Sequence, residues 1–152
     1  MKLFFSLLIF LSLTNLSFSA CVAKYKANLR SGPDSSTALL GTLKKYAPLK
    51  VISKSESNEW VQVESHNLKG WLYHTLLDES IQCIYVLDKS NISCPGKEEP
   101  DAIKIHYKSS FKVVEKSIGC NLVEDKWRRR FWVSTFNIWP KESAMKIVIP
   151  NS

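Results

Sequence analysis

Ala27-Asn28-Leu29-Arg30-Ser31-Gly32-Pro33 follows a short run of β type and is answered further along by Gly70-Trp71-Leu72-Tyr73. Leu29 sits between polar neighbours, the alternation of a half-buried strand. Gly32 and Pro33 mark a turn, the glycine because it accepts backbone angles denied to other residues and the proline because it fixes the exit. Gly70 before an indole suggests a bulge or a close backbone approach, and Trp71 a ring covering one end of a small core. Between the two blocks lie compact β-type runs at 39–43, 49–52 and 60–63. Alternation is clearest in Trp60-Val61-Gln62-Val63-Glu64, where Val61 and Val63 share a face. Clusters of Ser, Gly, Pro, Asp and Asn punctuate these runs. Short strands at such spacing predict a small all-β barrel.

The first residues stand apart. Lys2 supplies a positive end, residues 3–13 are almost wholly apolar, and Ser17-Phe18-Ser19 offers small residues two apart, as a signal peptidase requires. The apolar core is too short for a confident membrane span and is interrupted by Ser12, Thr14 and Asn15. Residues 1–20 are expected to be a secretory signal, cut after Ser19 or Ala20. Phe18-Ser19-Ala20-Cys21 permits a second reading as a lipobox, with Cys21 carrying a lipid that anchors the protein to a membrane, although Phe18 stands where such motifs carry Leu.

What remains, about 132 residues, is one ordinary domain or two very small ones and leaves no room for a large enzyme core. The net charge of +7 suits an anionic envelope. Four cysteines (Cys21, Cys83, Cys94 and Cys120) in a small exported chain argue for disulfides, with three possible connectivities. Lipidation would consume Cys21 and leave three thiols. No pair has C-x-x-C spacing, which disfavours zinc and thioredoxin-like chemistry, so no metal or cofactor is expected.

The second half repeats the first faintly. Leu49-Lys50-Val51-Ile52-Ser53-Lys54-Ser55 reappears as Phe111-Lys112-Val113-Val114-Glu115-Lys116-Ser117, Gly70-Trp71-Leu72 as Phe131-Trp132-Val133, and Asn28-Leu29 as Asn91-Ile92. Similar offsets in the same order predict two modules, 21–80 and 81–152. The second is degraded, with Ser90-Asn91-Ile92-Ser93-Cys94-Pro95-Gly96 in place of the fuller motif, and Trp60 matches either Leu122 or Trp127. One domain with a long elaboration is the alternative.

Asn28-Leu29-Arg30, Gly32-Pro33 and Gly70-Trp71, in this order and spacing, resemble the bacterial Src-homology-3-like domain. The resemblance covers about residues 22–78 well and 84–140 poorly. It implies an all-β fold of two small Src-homology-3-like barrels in tandem after the signal peptide, the second divergent and ending in a short C-terminal strand. It also implies a groove between the loop after the first strand and the hairpin loops, floored by aromatics. Carried onto matching positions, the groove residues are Asn28, Arg30, Trp60, Trp71 and Tyr73. Trp71 reads rather as a core ring and Tyr46 as a loop anchor, while Asn28 and Arg30 read equally as residues that hold their own loop. The ligands implied are peptidoglycan, cell-wall peptides or an envelope protein, met in the periplasm or outside the cell. The alternative is an adaptor for an envelope enzyme or a host protein. First and last strands lie side by side in such a barrel, so the resemblance further implies a Cys21–Cys83 bond closing the first module and a Cys94–Cys120 bond inside the second.

Lys126-Trp127-Arg128-Arg129-Arg130-Phe131-Trp132 is the most unusual local composition. Lys126, Arg128, Arg129 and Arg130 beside three aromatics could grip a polyanion; the alternative is a solvated hairpin whose alternating rings face the core. Export argues against nucleic acid. Catalysis finds little support. His66, His74 and His106 are scattered among turns and strand ends, there is no Gly-x-Ser-x-Gly elbow or H-E-x-x-H pair, and disulfide-bonded thiols are inert. The chain therefore reads as a binding module and not as an enzyme.

Overall fold

The computed structural model describes residues 19–88, 92–97 and 105–141. The signal segment up to residue 18, Asn91, and any strand beyond residue 141 lie outside the described residues.

The described residues form two antiparallel sheets. The first contains β1 (Ser19–Val22), β2 (Lys26–Arg30), β3 (Leu39–Lys44), β4 (Pro48–Lys54), β5 (Trp60–Ser65), β6 (Leu68–Tyr73) and β7 (Leu77–Asp78), in the order β3-β2-β6-β5-β4-β1-β7. One turn of 3₁₀ helix, His74–Leu76, joins β6 to β7. The second contains β8 (Cys83–Val86), β9 (Ser109–Ser117), β10 (Cys120–Glu124), β11 (Arg130–Ser134) and β12 (Ile138–Trp139), in the order β11-β10-β9-β8-β12.

Side-chain alternation decides what each sheet buries. Ala20, Val22, Ala27, Leu29, Leu43, Leu49, Val61, Val63 and Leu72, from six successive strands, meet in one core. Six strands can share so small a core only if the sheet wraps around it. The wrap is not closed by main-chain hydrogen bonds, because β3 and β7 stand at opposite ends of the order. The two small barrels expected in tandem are thus present as two curled sheets, neither closed by a continuous ladder of hydrogen bonds. The second core gathers Ile84, Val86, Phe111, Val123, Phe131, Val133 and Ile138, with the Phe111 and Phe131 rings edge to face at 5.1 Å.

The two sheets share a plan. The run β6-β5-β4-β1-β7 of the first has the same order as β11-β10-β9-β8-β12 of the second. Trp71 pairs with Gln62, and Trp132 with Leu122. Aligned on that pairing, Trp60 corresponds to neither Leu122 nor Trp127 but to Cys120, two residues before Leu122 on its strand. The first sheet thus carries an aromatic at the position where the second carries a disulfide cysteine.

Cys21 is joined to Cys83 and Cys94 to Cys120. The first bond, with Tyr46 and Ile81 packed on it, ties β1 to the start of β8. The second ties the segment 92–97 to β10, and Ser134 N also donates to Ile92 O at 3.0 Å. A thioether on Cys21 would need the sulfur that its disulfide already uses.

The seam between the sheets is partly polar. Ser65 Oγ donates to Pro48 O at 2.9 Å and shares a 3.1 Å hydrogen bond with Tyr85 Oη, whose pKa is raised by burial. His66 stands edge-on to Trp139, with its Nδ1 buried and unpartnered. Lys50 lies over the Trp139 ring at 5.4 Å. Burial first, and then the Lys108 charge, lower the His66 pKa below its ordinary 6.5. The folded state thus favours neutral imidazole, and the unfolded chain takes up the proton first as pH falls. His66 therefore leaves stability intact above pH 6.5 and subtracts from it as pH drops below 6.5 toward the lowered folded value. Urea midpoints measured from pH 7.5 down to 5 are expected to fall less steeply in His66→Asn, which tolerates the local φ of 55° without the titrating ring. An unchanged slope would remove His66 as the cause.

Candidate functional site

The Ala27-to-Pro33 block builds one wall of a groove. In β2, Ala27 and Leu29 point into the core, which turns Lys26, Asn28 and Arg30 to the opposite, solvent face. Arg30 pairs with Trp71 of β6, and Trp71 with Gln62 of β5, so these three share that outer face. Two residues along β6, Tyr73 pairs with Trp60, their rings edge to face at 5.5 Å. Asn28, Arg30, Trp60 and Tyr73 therefore line one groove of about 660 Å³, together with Lys26, Asp34, Ser35 and Leu76. Trp71 stands on the same face but outside the groove.

The loop after β2 is held by Thr37. Its Oγ1 shares its one proton between Asp34 O at 2.7 Å and Gly32 O at 3.0 Å, while Arg30 Nη1 donates to Thr37 O at 2.8 Å. Gly32 is not needed for a left-handed backbone, which among the described glycines belongs to Gly96 and Gly119. It is needed for space, because a Cβ there would sit 2.9 Å from the Thr37 methyl. Hydrogen bonds from Ser36 hold the Asp34 carboxyl below its usual 3.8, with Arg30 adding a smaller effect. One bond to Thr37 leaves the Arg30 fork with further donors. Tyr73 Oη donates to Glu59 Oε1 at 3.4 Å, which orients its ring. The groove thus offers two cations (Lys26 and Arg30), one carboxylate at Asp34, and two aromatic faces.

The sequence pattern does not single out Lys26, Asp34, Ser35 or Leu76. Alternation along β2 could have flagged Lys26 beside Asn28, whereas Leu76 reaches the groove only through the turn after β6. Tyr46, with φ 65°, packs on the Cys21–Cys83 bond and lies outside the groove.

The cationic run occupies the β10–β11 hairpin. Arg130 Nε donates to Glu124 Oε2 at 2.9 Å, and Arg129 forms a 2.7 Å ion pair with Asp125. Arg128, with φ 66°, sits at the turn. Lys126 is directed elsewhere, lying over the Tyr25 and Trp127 rings at 4.9 and 4.3 Å and donating to Tyr25 Oη at 3.0 Å. Phe131 faces the core, as a solvated hairpin would have it, but Trp127 is 64% exposed.

Residues 26–78 match the family profile of the bacterial SH3 domain. No curated protein matches the chain significantly. Among solved structures, the chain is similar to NlpC2 from Trichomonas vaginalis (10% identity, TM-score 0.38, covering 82% of this chain and 48% of that one). It is also similar to NlpC1 from the same organism (11%, TM-score 0.37, covering 81% and 45%). A third is an NlpC/P60 endopeptidase from Photobacterium damselae subsp. piscicida (16%, TM-score 0.36, covering 78% and 31%). The chain spans less than half the length of each.

Proposed function

We propose, on the premise that residues 26–78 form a bacterial SH3 domain, that the protein binds peptide segments of the cell wall without catalysis, through the groove of the first sheet. The observation that carries this reading is the meeting of Asn28, Arg30, Trp60 and Tyr73 in one groove of about 660 Å³. That volume suits a short peptide. Wall peptides bear carboxylates, for which Lys26 and Arg30 are complementary, and amines, for which Asp34 is. Trp60 and Tyr73 supply large rigid faces at low entropic cost, the side chains that dominate binding surfaces. The second sheet is taken as a divergent copy that has exchanged the groove aromatic for a disulfide. All four cysteines are paired, which leaves no thiolate for nucleophilic attack and suits an oxidising compartment outside the cytoplasm. Ala20 is buried and pairs with Leu49, so a leader cut after Ser19 removes only the exposed first residue of β1 and leaves Ala20, Cys21 and Val22 in the strand.

Co-sedimentation with purified peptidoglycan tests the reading. The disulfide-bonded protein is expected to pellet with the wall. Trp60→Ala and Tyr73→Ala, both at partly exposed positions, are each expected to cost about 2 kcal/mol of binding, roughly thirtyfold in affinity, with the fold intact by circular dichroism. A wild-type protein that stays in the supernatant overturns wall binding and leaves the adaptor reading, with a protein partner in the same groove.

A further inference from the structure

A second groove, of about 450 Å³, lies where the two sheets meet, away from the first. Lys44 and Lys45 reach it from the end of β3, Tyr107 and Lys108 from the turn before β9, and Lys126 and Trp127 from the β10–β11 hairpin. Among the described residues, none of these four lysines has a carboxylate at ion-pair distance. The acidic residue in the lining, Asp125, is engaged by Arg129. The local field is therefore strongly positive, and unlike charge is what it complements.

The same walls carry exposed rings. Tyr107 and Trp127 are 66% and 64% exposed, and Tyr25 beside them 62%. Rings of this size held in solvent at the rim of one concave site mark a recognition surface. Each ring carries a cation, Lys126 over Tyr25 and Trp127, Arg129 over Trp127 and Lys108 over Tyr107, so a ligand packed against the rings meets the charge at once.

The site is also held rigid. Asp125, nearly buried, accepts from Trp127 N, Arg129 N and Arg129 Nε at 2.7–3.0 Å, which fixes the hairpin. Ser110 Oγ donates to Lys45 O at 2.8 Å across the two sheets. Lys108 is kept at φ 57°, with its N donating to Val86 O at 3.1 Å, a left-handed backbone that the surrounding bonds must maintain. Such preorganisation lowers the entropy lost on binding.

We infer that this groove binds an acidic glycan, with sugar faces stacked on Trp127 and Tyr107 and sugar carboxylates or sulfates paired with Lys44, Lys45, Lys108 and Lys126. Rings combined with single-point ammonium charges favour a sugar polymer over a bare polyphosphate, because nothing in a phosphate chain uses the aromatic faces. Of the cationic run, Lys126 and Arg129 line this site, Arg129 lying over the Trp127 ring at 4.8 Å while paired with Asp125, and Arg130 serves Glu124.

The experiment is a titration of the disulfide-bonded protein with oligogalacturonate, followed by calorimetry at low salt. The arms are the same oligosaccharide with its carboxyls reduced to alcohols, and inorganic polyphosphate of equal charge. Oligogalacturonate is expected to bind, to weaken as salt screens the lysines, and to lose at least about tenfold in both Trp127→Ala and Lys126→Ser. Neither position is buried, and Ile118→Ser, at a fully exposed position outside both grooves, is expected to leave oligogalacturonate binding unchanged. No binding at millimolar oligogalacturonate, equal binding of the carboxyl-reduced sugar, or polyphosphate binding as tight and indifferent to Trp127→Ala would each overturn the inference.

Discussion

Replacing Cys21 and Cys83 together with serine is expected to lower the free energy of unfolding by about 4 kcal/mol. The bond closes a separation of 62 residues, and the chain entropy it removes from the unfolded state gives about that figure. Cys94–Cys120, with a separation of 26, gives about 3.5 kcal/mol by the same reasoning. Small cores leave little margin, so either loss takes most of the stability of a domain of this size. The first bond also ties β1, which sits between β4 and β7, to the strand that begins the second sheet. Its loss should therefore loosen the seam where Tyr85 meets Ser65. Guanidinium unfolding of the double variant, beside the wild type, reads the effect directly. A change below about 1 kcal/mol would mean that the bond constrains little.

Gly70→Ala is expected to be the most damaging single small substitution in the first sheet, at about 3 kcal/mol. A Cβ at that position would lie 2.7 Å from the Arg30 carbonyl oxygen and 2.8 Å from Leu29 Cγ. The first is main chain and the second belongs to a fully buried side chain, so neither gives way cheaply. Relief requires β2 to move off β6, and Arg30 would leave the groove with it. Gly70→Ala should accordingly lose wall binding as well as stability. Gly41→Ala is the control, since a Cβ there would meet nothing within 4 Å and its effect should be within about 0.5 kcal/mol. Equal unfolding midpoints for the two variants would contradict the close approach of β2 and β6.

Much of this arrangement is legible in the residues. Alternation in 60–64 places Val61 and Val63 inside and therefore Trp60 and Gln62 outside. The same arithmetic on β2 and β6 turns Asn28, Arg30, Trp71 and Tyr73 to one face, and four of the five groove candidates do meet. What alternation cannot give is how far along the face the groove extends, which is why it groups Trp71 with the others. A turn glycine usually serves backbone freedom, whereas the role of Gly32 is to clear a threonine methyl five residues on. In the cationic run, the carboxylates that occupy Arg129 and Arg130 stand immediately upstream, at Glu124 and Asp125. A hairpin at 124–130 folds them back onto the arginines, a pairing that depends on where the turn falls. The second groove is invisible in the sequence for a different reason, since its lysines come from segments far apart along the chain.

The central claim is that the outer face of β2, β5 and β6 is a peptide groove. Chemical-shift mapping of the ¹⁵N-labelled protein with a purified peptidoglycan stem peptide tests it most directly. The predicted result is a saturable set of shifts at the Asn28 and Arg30 amides and the Trp60 indole N–H, with the Trp127 indole unmoved. Shifts absent from β2 and Trp60 at saturating peptide, or confined to the second sheet, would contradict it.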